Sequence, residues 1–302
     1  MGLYVNRIKY KGGSPRLGAS SGIINNAVIN GHDLYYDYDP TPPAHDYSLD
    51  YFTIESLEDG NTISLNTVGT APNSINLFYS TDNGSSWNND TTSWTINKNE
   101  KILLKCSRYR QEWSRNSSNY RAFTSTKTYK VYGNIMSMLN GDNFISGGTS
   151  VSGNGFNFMF YYSTYLVSAE NLIMPATSVS EGGYRSMFEG CSSLLYAPAI
   201  LPATSIDMYC YNSMFARCTL LTTSPLLPVS YVPMLGYEKM FYECTSLNKI
   251  TCLAKSFGSS ATSNWLYGVS ASGTFYKNSA MSSWPSGASG IPSGWTVQDY
   301  VA

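Results

Sequence analysis

Residues 187–194 read MFEGCSSL, and the same phrase returns as MFARCTLL at 214–221 and as MFYECTSL at 240–247. A fainter copy, MFYYSTYL at 159–166, precedes them with serine in place of cysteine. The methionines of these copies are 28, 27 and 26 residues apart. A period of this length is typical of solenoids, in which each unit is too small to bury a core and stacks on its neighbours. The stretch therefore predicts a solenoid that offers a surface rather than a catalytic pocket.

The apolar residues within one unit have the spacing of one face of a short helix. In the copy at 214–221, together with the tyrosine that precedes it, successive apolar residues are 3, 1, 3 and 3 positions apart: Tyr211, Met214, Phe215, Cys218 and Leu221. This pattern predicts a helical turn with one buried face. Residues 221–228 include two prolines and are therefore predicted to be extended. The predicted repeat core consists of the equivalent residues in every copy: Met159, Phe160, Met187, Phe188, Cys191, Leu194, Met214, Phe215, Cys218, Leu221, Met240, Phe241, Cys244 and Leu247.

These motifs resemble the leucine-rich repeats of the Bacteroides surface-protein type, whose units carry Phe-x-x-Cys-x-x-Leu followed by a Leu-Pro strand. The resemblance covers residues 156–254, and Leu-Pro pairs stand at 201–202 and 227–228. The closing stretch, 263–297, is similar to the end of such proteins in gut bacteria and in the structural (fibre) proteins of their phages. Ser163 in a cysteine position and Thr251 in a proline position depart from the pattern, as the terminal units of solenoids commonly do.

Composition argues against two classes of partner. Charged residues make up 13% of the 302 residues and the net charge is -1, so no basic surface that could follow a phosphate backbone is predicted, and nucleic acid is not an expected partner. No apolar run is long enough to span a bilayer, and residues 1–10 alternate like a strand instead of forming the apolar core of a signal peptide. We therefore expect a soluble chain that is made without secretion and does not insert into a membrane.

The cysteines indicate a structural role. Three of the six occupy the same repeat position, where cysteine acts as a small buried apolar residue. The sequence has no Cys-x-x-Cys pair of the kind that holds zinc. We expect reduced cysteines, no metal and no cofactor.

Catalytic motifs are scarce. The two histidines, His32 and His45, lie in the N-terminal segment, and no phosphate loop, dinucleotide fingerprint or zinc-protease motif occurs. The acidic residues of the repeats are expected to solvate the exposed face. Paired carboxylates of a glycosidase come from distant positions, so that alternative stays open. We predict that the protein is not an enzyme and has no catalytic residues.

The chain is predicted to be mainly β with short helices and to have four parts. Residues 1–45 form a docking segment that ends in a Pro-rich spacer. Residues 46–138 contain short alternating runs separated by Gly, Asn and Ser, which predicts a small immunoglobulin-like β-sandwich. Residues 139–254 form the leucine-rich-repeat solenoid, and residues 255–302 form its C-terminal β cap.

The repeats and the missing secretion signal favour a non-enzymatic phage virion protein, a head or tail fibre or appendage that attaches to a host-surface protein or glycan. Residues 1–45 would bind other virion proteins, and analogy with phage fibres predicts a homotrimer. The alternatives are a bacterial cell-surface adhesin with the same repeats and a capsule glycan hydrolase. Tyrosine is abundant, at 25 residues, and its rigid amphipathic ring suits binding surfaces. The predicted ligand contacts are Tyr184, Tyr209, Tyr211, Tyr231 and Tyr237.

Overall fold

A computed structural model shows a mainly β protein with a β-solenoid of about 6 turns and, in the described residues, one short helix. It describes residues 45–70, 75–106 and 118–301, together with the backbone of four short strands outside those ranges. The chain divides into two compact units, Met1–Asp46 and Tyr47–Ala302. The four-part division expected from the sequence stays a prediction.

The first unit contains a small antiparallel sheet. Its strands are β1 (Ile8–Tyr10), β2 (Val28–Ile29) and β3 (His32–Tyr36). They lie in the order β1-β3-β2. Most of the remaining docking segment, including its Pro-rich spacer, lies outside the described residues, and its docking role stays a prediction.

The second unit begins with two sheets whose buried side chains belong to one core. Their strands are β4 (Phe52–Ser56), β5 (Asn61–Val68), β6 (Leu77–Ser80), β7 (Ser93–Ile96), β8 (Lys101–Cys106), β9 (Ser114–Asn116), β10 (Asn119–Ser125) and β11 (Tyr129–Asn134). One sheet has the order β7-β5-β10-β9, and the other places β11, β4, β8 and β6 side by side in antiparallel pairs. Strand β8 alternates between buried and partly exposed residues, as a sheet with one packed face requires. The immunoglobulin-like sandwich itself stays a prediction.

Short elements then lead into the solenoid, which is built from parallel strands. The 3-10 turn Gly141–Asn143 directly follows the helix α1 (Ser137–Asn140), and a second 3-10 turn, Tyr47–Leu49, precedes β4 and lies beside β11. The solenoid strands are β12 (Ser150–Val151), β13 (Leu166–Ser168), β14 (Leu172–Ile173), β15 (Ser178–Val179), β16 (Ser205–Ile206), β17 (Thr223–Leu227), β18 (Tyr231–Val232), β19 (Lys249–Cys252), β20 (Ser256–Phe257), β21 (Gly273–Lys277) and β22 (Trp295–Asp299). Apart from β13 and β14, which pair with β11, they form the sheets β12-β15-β16, β18-β20 and β17-β19-β21-β22, and within these three sheets neighbouring strands pair parallel.

Strand β11 joins the antiparallel sheet to the solenoid. It pairs antiparallel with β4 on one side and parallel with β13 and β14 on the other. The backbone of the first coil therefore has a partner strand instead of an open edge. An end coil that is covered in this way resists fraying and aggregation.

The repeat phrase is not helical, and the helix predicted from its spacing is wrong. Each coil runs through consecutive tight turns in which alternate amides bond within the coil and between coils. The amide of Met187 donates to a carbonyl three residues back, whereas the amide of Phe188 donates to Met214 of the next coil at 2.8 Å. Positive φ recurs at every fourth residue, as at Ser186 (51°) and Gly190 (76°). An α-helix bonds its amides internally with negative φ throughout, so it could not link the coils in this way.

All fourteen residues of the predicted repeat core are buried, with at most 1% of their surface exposed. The rings of Phe160, Phe188, Phe215 and Phe241 form a continuous stack with centroids 5.2, 5.3 and 5.6 Å apart. The repeat cysteines are free thiols that donate to phenylalanine carbonyls of the preceding coil at 2.9–3.1 Å. Cysteine therefore serves this position as a small apolar residue with a weak donor.

Serine replaces cysteine in the first coil because that coil faces a different neighbour. The hydroxyl oxygens of Ser163 and Tyr129 lie 2.5 Å apart, and both side chains are buried. Tyr129 belongs to β11, the strand that covers the first coil. A hydroxyl is a stronger hydrogen-bond partner than a thiol, and so Ser163 satisfies a buried phenol at this junction.

We expect Ser163→Ala to lower the free energy of unfolding by about 1–3 kcal/mol, because the Tyr129 hydroxyl would stay buried without a partner. Urea unfolding followed by circular dichroism measures the change. The double variant with Tyr129→Phe is the control, since it removes both partners at once. A double-mutant cycle with no coupling between the two positions would contradict the assignment.

Candidate ligand-binding surface

Three of the five predicted contact tyrosines lie inside the solenoid. Tyr184, Tyr211 and Tyr237 each expose 1% of their surface, and neighbouring ring centroids in this stack are 5.8 and 5.9 Å apart. Side chains buried in this way do not reach a ligand, so the prediction is wrong for these three. They precede the repeat methionines by three residues, which is also the spacing of the core face.

The other two predicted contacts reach the surface. Tyr231, at the start of β18, is 55% exposed. Tyr209 is half-buried, and the guanidinium of Arg185 lies 5.5 Å from its ring centroid. The two tyrosines belong to successive coils, and both stay candidate contacts.

A row of larger side chains runs along the outside of the solenoid, next to the phenylalanine stack. Its members stand one or two residues after the repeat phenylalanines, and Leu266 takes the phenylalanine position in the last of these coils. The backbone is left-handed at Tyr162, Arg217 and Glu243, with φ of 54°, 62° and 59°. We name this row the aromatic strip, and it consists of Tyr161, Tyr162, Glu189, Arg217, Tyr242, Glu243 and Tyr267.

A pair of aromatic rings forms each end of the strip. Tyr161 and Tyr162 meet edge to face with centroids 4.7 Å apart, and Tyr242 and Tyr267 stack with centroids 5.1 Å apart. The Tyr162 ring covers Gly190 of the next coil, where a Cβ atom would stand 2.8 Å from the ring. Glycine is therefore required for this close approach. Tyr162 and Tyr267 remain 47% and 49% exposed, so each can offer ring surface to a ligand.

Arg217 occupies the middle of the strip and links three coils. Its Nη1 donates to Glu189 Oε1 at 2.9 Å, and its Nε donates to Glu243 Oε2 at 3.1 Å. Its guanidinium also lies 5.5 Å from the ring centroid of Tyr242. Partly exposed ion pairs of this kind contribute at most about 1 kcal/mol each to stability. Their larger effect is to hold donors and acceptors in place, so that a ligand does not have to order them.

Burial raises the pKa of two groups in the strip. Desolvation raises the pKa of the Glu189 carboxyl, although a hydrogen bond from Ser186 and the charge of Arg217 act in the opposite direction. Desolvation, with a smaller contribution from the Glu189 charge, raises the pKa of the Tyr161 phenol to about 12. The Tyr161 hydroxyl, like any phenol at neutral pH, is protonated and can donate a hydrogen bond.

A shallow groove near the end of the solenoid is a second candidate. Its volume is about 350 Å³, and its lining includes Lys277, Trp284, Ile291 and Trp295. The Trp284 ring stacks on Trp265 with centroids 5.4 Å apart, and Trp295 exposes 7% of its surface. Because both indoles are engaged in packing, the groove offers less free ring surface than the aromatic strip.

Repeat carboxylates at and near the strip take part in hydrogen bonds. Glu238 Oε2 accepts from the side-chain Nδ2 of Asn212 at 2.6 Å, while Glu189 and Glu243 both accept from Arg217. Among the residues that the structure describes, no group of three or more His, Cys, Asp and Glu side chains could hold a metal ion. The strip therefore supplies donors, acceptors and ring faces to a ligand.

Comparison with known proteins finds no matching protein family, no similar curated protein and no similar solved structure. Within the described ranges, none of the helices combines the length and the apolar character needed to cross a bilayer.

The sequence does not predict the strip, because the apolar spacing of this stretch predicts a helix. The helix predicted for this stretch directs adjacent residues such as Tyr161 and Tyr162 about 100° apart, so it does not group them in one narrow row. One usable signal was present: a pair of adjacent tyrosines at 161–162 faces Glu189-Gly190 at the same position of the next copy. A large ring followed one repeat later by glycine indicates that the ring lies across the neighbouring coil.

Proposed function

We propose that this chain is a non-enzymatic fibre or appendage protein of a phage virion, and that its aromatic strip attaches to a glycan or protein of the host surface. The observation that carries the proposal is the strip itself. Two exposed tyrosine rings, on Tyr162 and Tyr267, flank an arginine that two carboxylates hold in place. Rings beside oriented polar groups are the usual composition of binding surfaces.

The solenoid suits attachment because it is rigid. Inter-coil amide bonds and stacked rings fix each coil against the next, so little conformational entropy is lost when a ligand binds. Several copies on one particle would convert modest affinities into strong overall attachment. Such a surface suits a protein that is present in several copies on one particle, as in a fibre.

The other parts of the proposal follow from the sequence. Residues 1–45 would dock on other virion proteins, residues 46–138 would form an immunoglobulin-like stalk, and the assembly would be a homotrimer. The resemblance of residues 156–254 to Bacteroides-type leucine-rich repeats supports a host of that kind. A bacterial surface adhesin and a capsule glycan hydrolase are the competing assignments.

The double variant Tyr162→Ala/Tyr267→Ala is expected to lower binding to host cells at least about 5-fold, since two exposed rings contribute about 0.5–1.5 kcal/mol each. Flow cytometry of the fluorescently labelled chain on Bacteroides-like cells measures it. Tyr196→Ala is the matched control, because Tyr196 is 54% exposed and lies outside the strip. Unchanged binding by the double variant would refute attachment through the strip.

Two further measurements separate the competing assignments. Antibody labelling of purified virions should find the chain there, whereas labelling of host cells alone would indicate the adhesin. Incubation with capsule polysaccharide should release no reducing sugar. Release that disappears in Glu189→Gln would instead indicate the hydrolase.

A further inference from the structure

We infer that the ligand of the aromatic strip is an uncharged, linear glycan that lies parallel to the solenoid axis and covers about one sugar unit per coil. This inference rests on the proposed attachment function and makes its ligand specific. Four features of the strip carry it: its direction, its bonded backbone, its charge balance and its width.

The strip is directed along the axis because its members occupy equivalent positions in successive coils. Tyr162 lies across Gly190 of the next coil, Arg217 of the coil after that bonds Glu243, and Tyr267 closes the row. Neighbouring parallel strands are about 4.8 Å apart, so the four steps from the coil of Tyr162 to that of Tyr267 span about 19 Å. A pyranose unit in an extended chain advances by a similar distance to one coil. A glycan of about four or five units therefore matches the strip from ring to ring.

The backbone beside the strip is already hydrogen-bonded. The amides of Tyr162, Gly190 and Arg217 donate to carbonyls of the next coil at 2.7–2.8 Å. An extended peptide that binds by strand addition needs free backbone groups at a sheet edge, and these amides are not free. Recognition must therefore come from side chains, which suits the hydroxyl groups and apolar ring faces of a sugar.

The charges at the strip balance. Three carboxylates and three basic groups lie at or beside it, which gives a formal net charge of zero: Glu189, Glu238, Glu243, Arg185, Arg217 and Lys239. Arg217 is held between two carboxylates and has no excess positive charge to offer an acidic sugar. Transfer of an anionic ligand to such a surface would cost desolvation without compensation, so a neutral glycan is favoured.

The strip is also narrow. It is two residue positions wide in each coil, for example Tyr161 and Tyr162 in one coil and Tyr242 and Glu243 in another. A stable protein partner usually needs about 800 Å² on each side, which a row of this width does not supply by itself. A single extended chain fits the row along its whole length.

The test uses oligosaccharides from disaccharide to octasaccharide, fractionated from the neutral polysaccharide of the host envelope, with the acidic polysaccharide in parallel. Isothermal titration calorimetry with the full chain should show affinity that rises to the tetrasaccharide or pentasaccharide and then levels off. Tyr162→Ala and Tyr267→Ala should each lower the pentasaccharide affinity about 2- to 10-fold, as loss of one stacked ring implies. Tyr162→Phe should retain most of it, and Tyr196→Ala should leave it unchanged.

Several outcomes would overturn the inference. A plateau already at the disaccharide would place the site within one coil, and a preference for the acidic fraction would contradict the charge argument. If the double variant loses cell binding but neither polysaccharide fraction binds, the ligand is a protein; attachment then stands and the glycan is wrong. If the double variant still binds cells as the unmodified chain does, the attachment proposal itself fails. Thermal unfolding of each variant verifies that the coils remain folded.

Discussion

Phe215→Ala is expected to lower the free energy of unfolding by about 3–5 kcal/mol, the range for truncation of a large buried aromatic residue. Phe215 is fully buried and stacks on Phe188 and Phe241 with ring centroids 5.3 and 5.6 Å away. Its removal interrupts a stack that crosses several coils. The variant leaves a cavity where the ring was. In a solenoid each unit contacts only its neighbours, so no other coil can replace the packing that is lost between the coils on its two sides.

Urea unfolding with circular dichroism measures the loss. Leu220→Ala, in the same coil, is the matched control: Leu220 is 46% exposed, so its truncation should change the free energy by at most about 0.5 kcal/mol. Phe215→Leu should fall between the two variants because it retains most of the apolar volume. Equal losses for Phe215→Ala and Leu220→Ala would show that the ring stack does not hold the coils together.

Trp265→Ala is expected to cost a similar amount, about 3–5 kcal/mol, but to act locally at first. Trp265 is fully buried, stacks on Tyr237 and Trp284 with centroids 6.0 and 5.4 Å apart, and donates its indole N–H to the Gly290 carbonyl at 2.8 Å. These contacts fasten the last coils to the body of the solenoid. Without them, strands β21 and β22 should open before the rest of the chain.

Amide hydrogen exchange followed by mass spectrometry tests this order of opening. Protection in β21 and β22 should fall strongly, whereas protection in β4 and β8 should stay close to that of the unmodified chain. Trp265→Phe is the control, since it keeps a ring in the stack while it loses the indole hydrogen bond and part of the ring volume. A uniform loss of protection over all strands would mean that the solenoid and the antiparallel sheets unfold as one cooperative unit.

The burial pattern could be predicted to a large extent. The Met-Phe-x-x-Cys-x-x-Leu copies identified the residues of the core, and the structure buries all fourteen of them. The conformation of those residues could not be predicted, because a helix and a series of tight turns bring the same positions to one face. Arg217 and Glu243, with φ of 62° and 59°, carry no local sign of a left-handed backbone, which is uncommon for residues other than glycine. Their conformation depends on hydrogen bonds to a coil that is distant in sequence.

The candidate surface was less predictable than the core. The abundance of tyrosine predicts Tyr184 and Tyr211 as ligand contacts, although they share a position with Phe156, which lies in the same buried ring stack. Comparison of that position across copies would have indicated a buried role. Tyr162 and Tyr267 gave no such signal, since their role depends on what the neighbouring coils place beside them.

Taken alone, the sequence determined that the chain winds into stacked coils and which side chains those coils bury. It could do so because the preference of a side chain for an apolar environment belongs to the residue itself and returns with the repeat. Only the tertiary structure decided three features: the turn conformation of each coil, the role of Ser163 as the partner of a buried phenol, and the line of rings along the outside. These features depend on partners in other coils or in β11, far along the chain, and their geometry exists only once the coils have stacked.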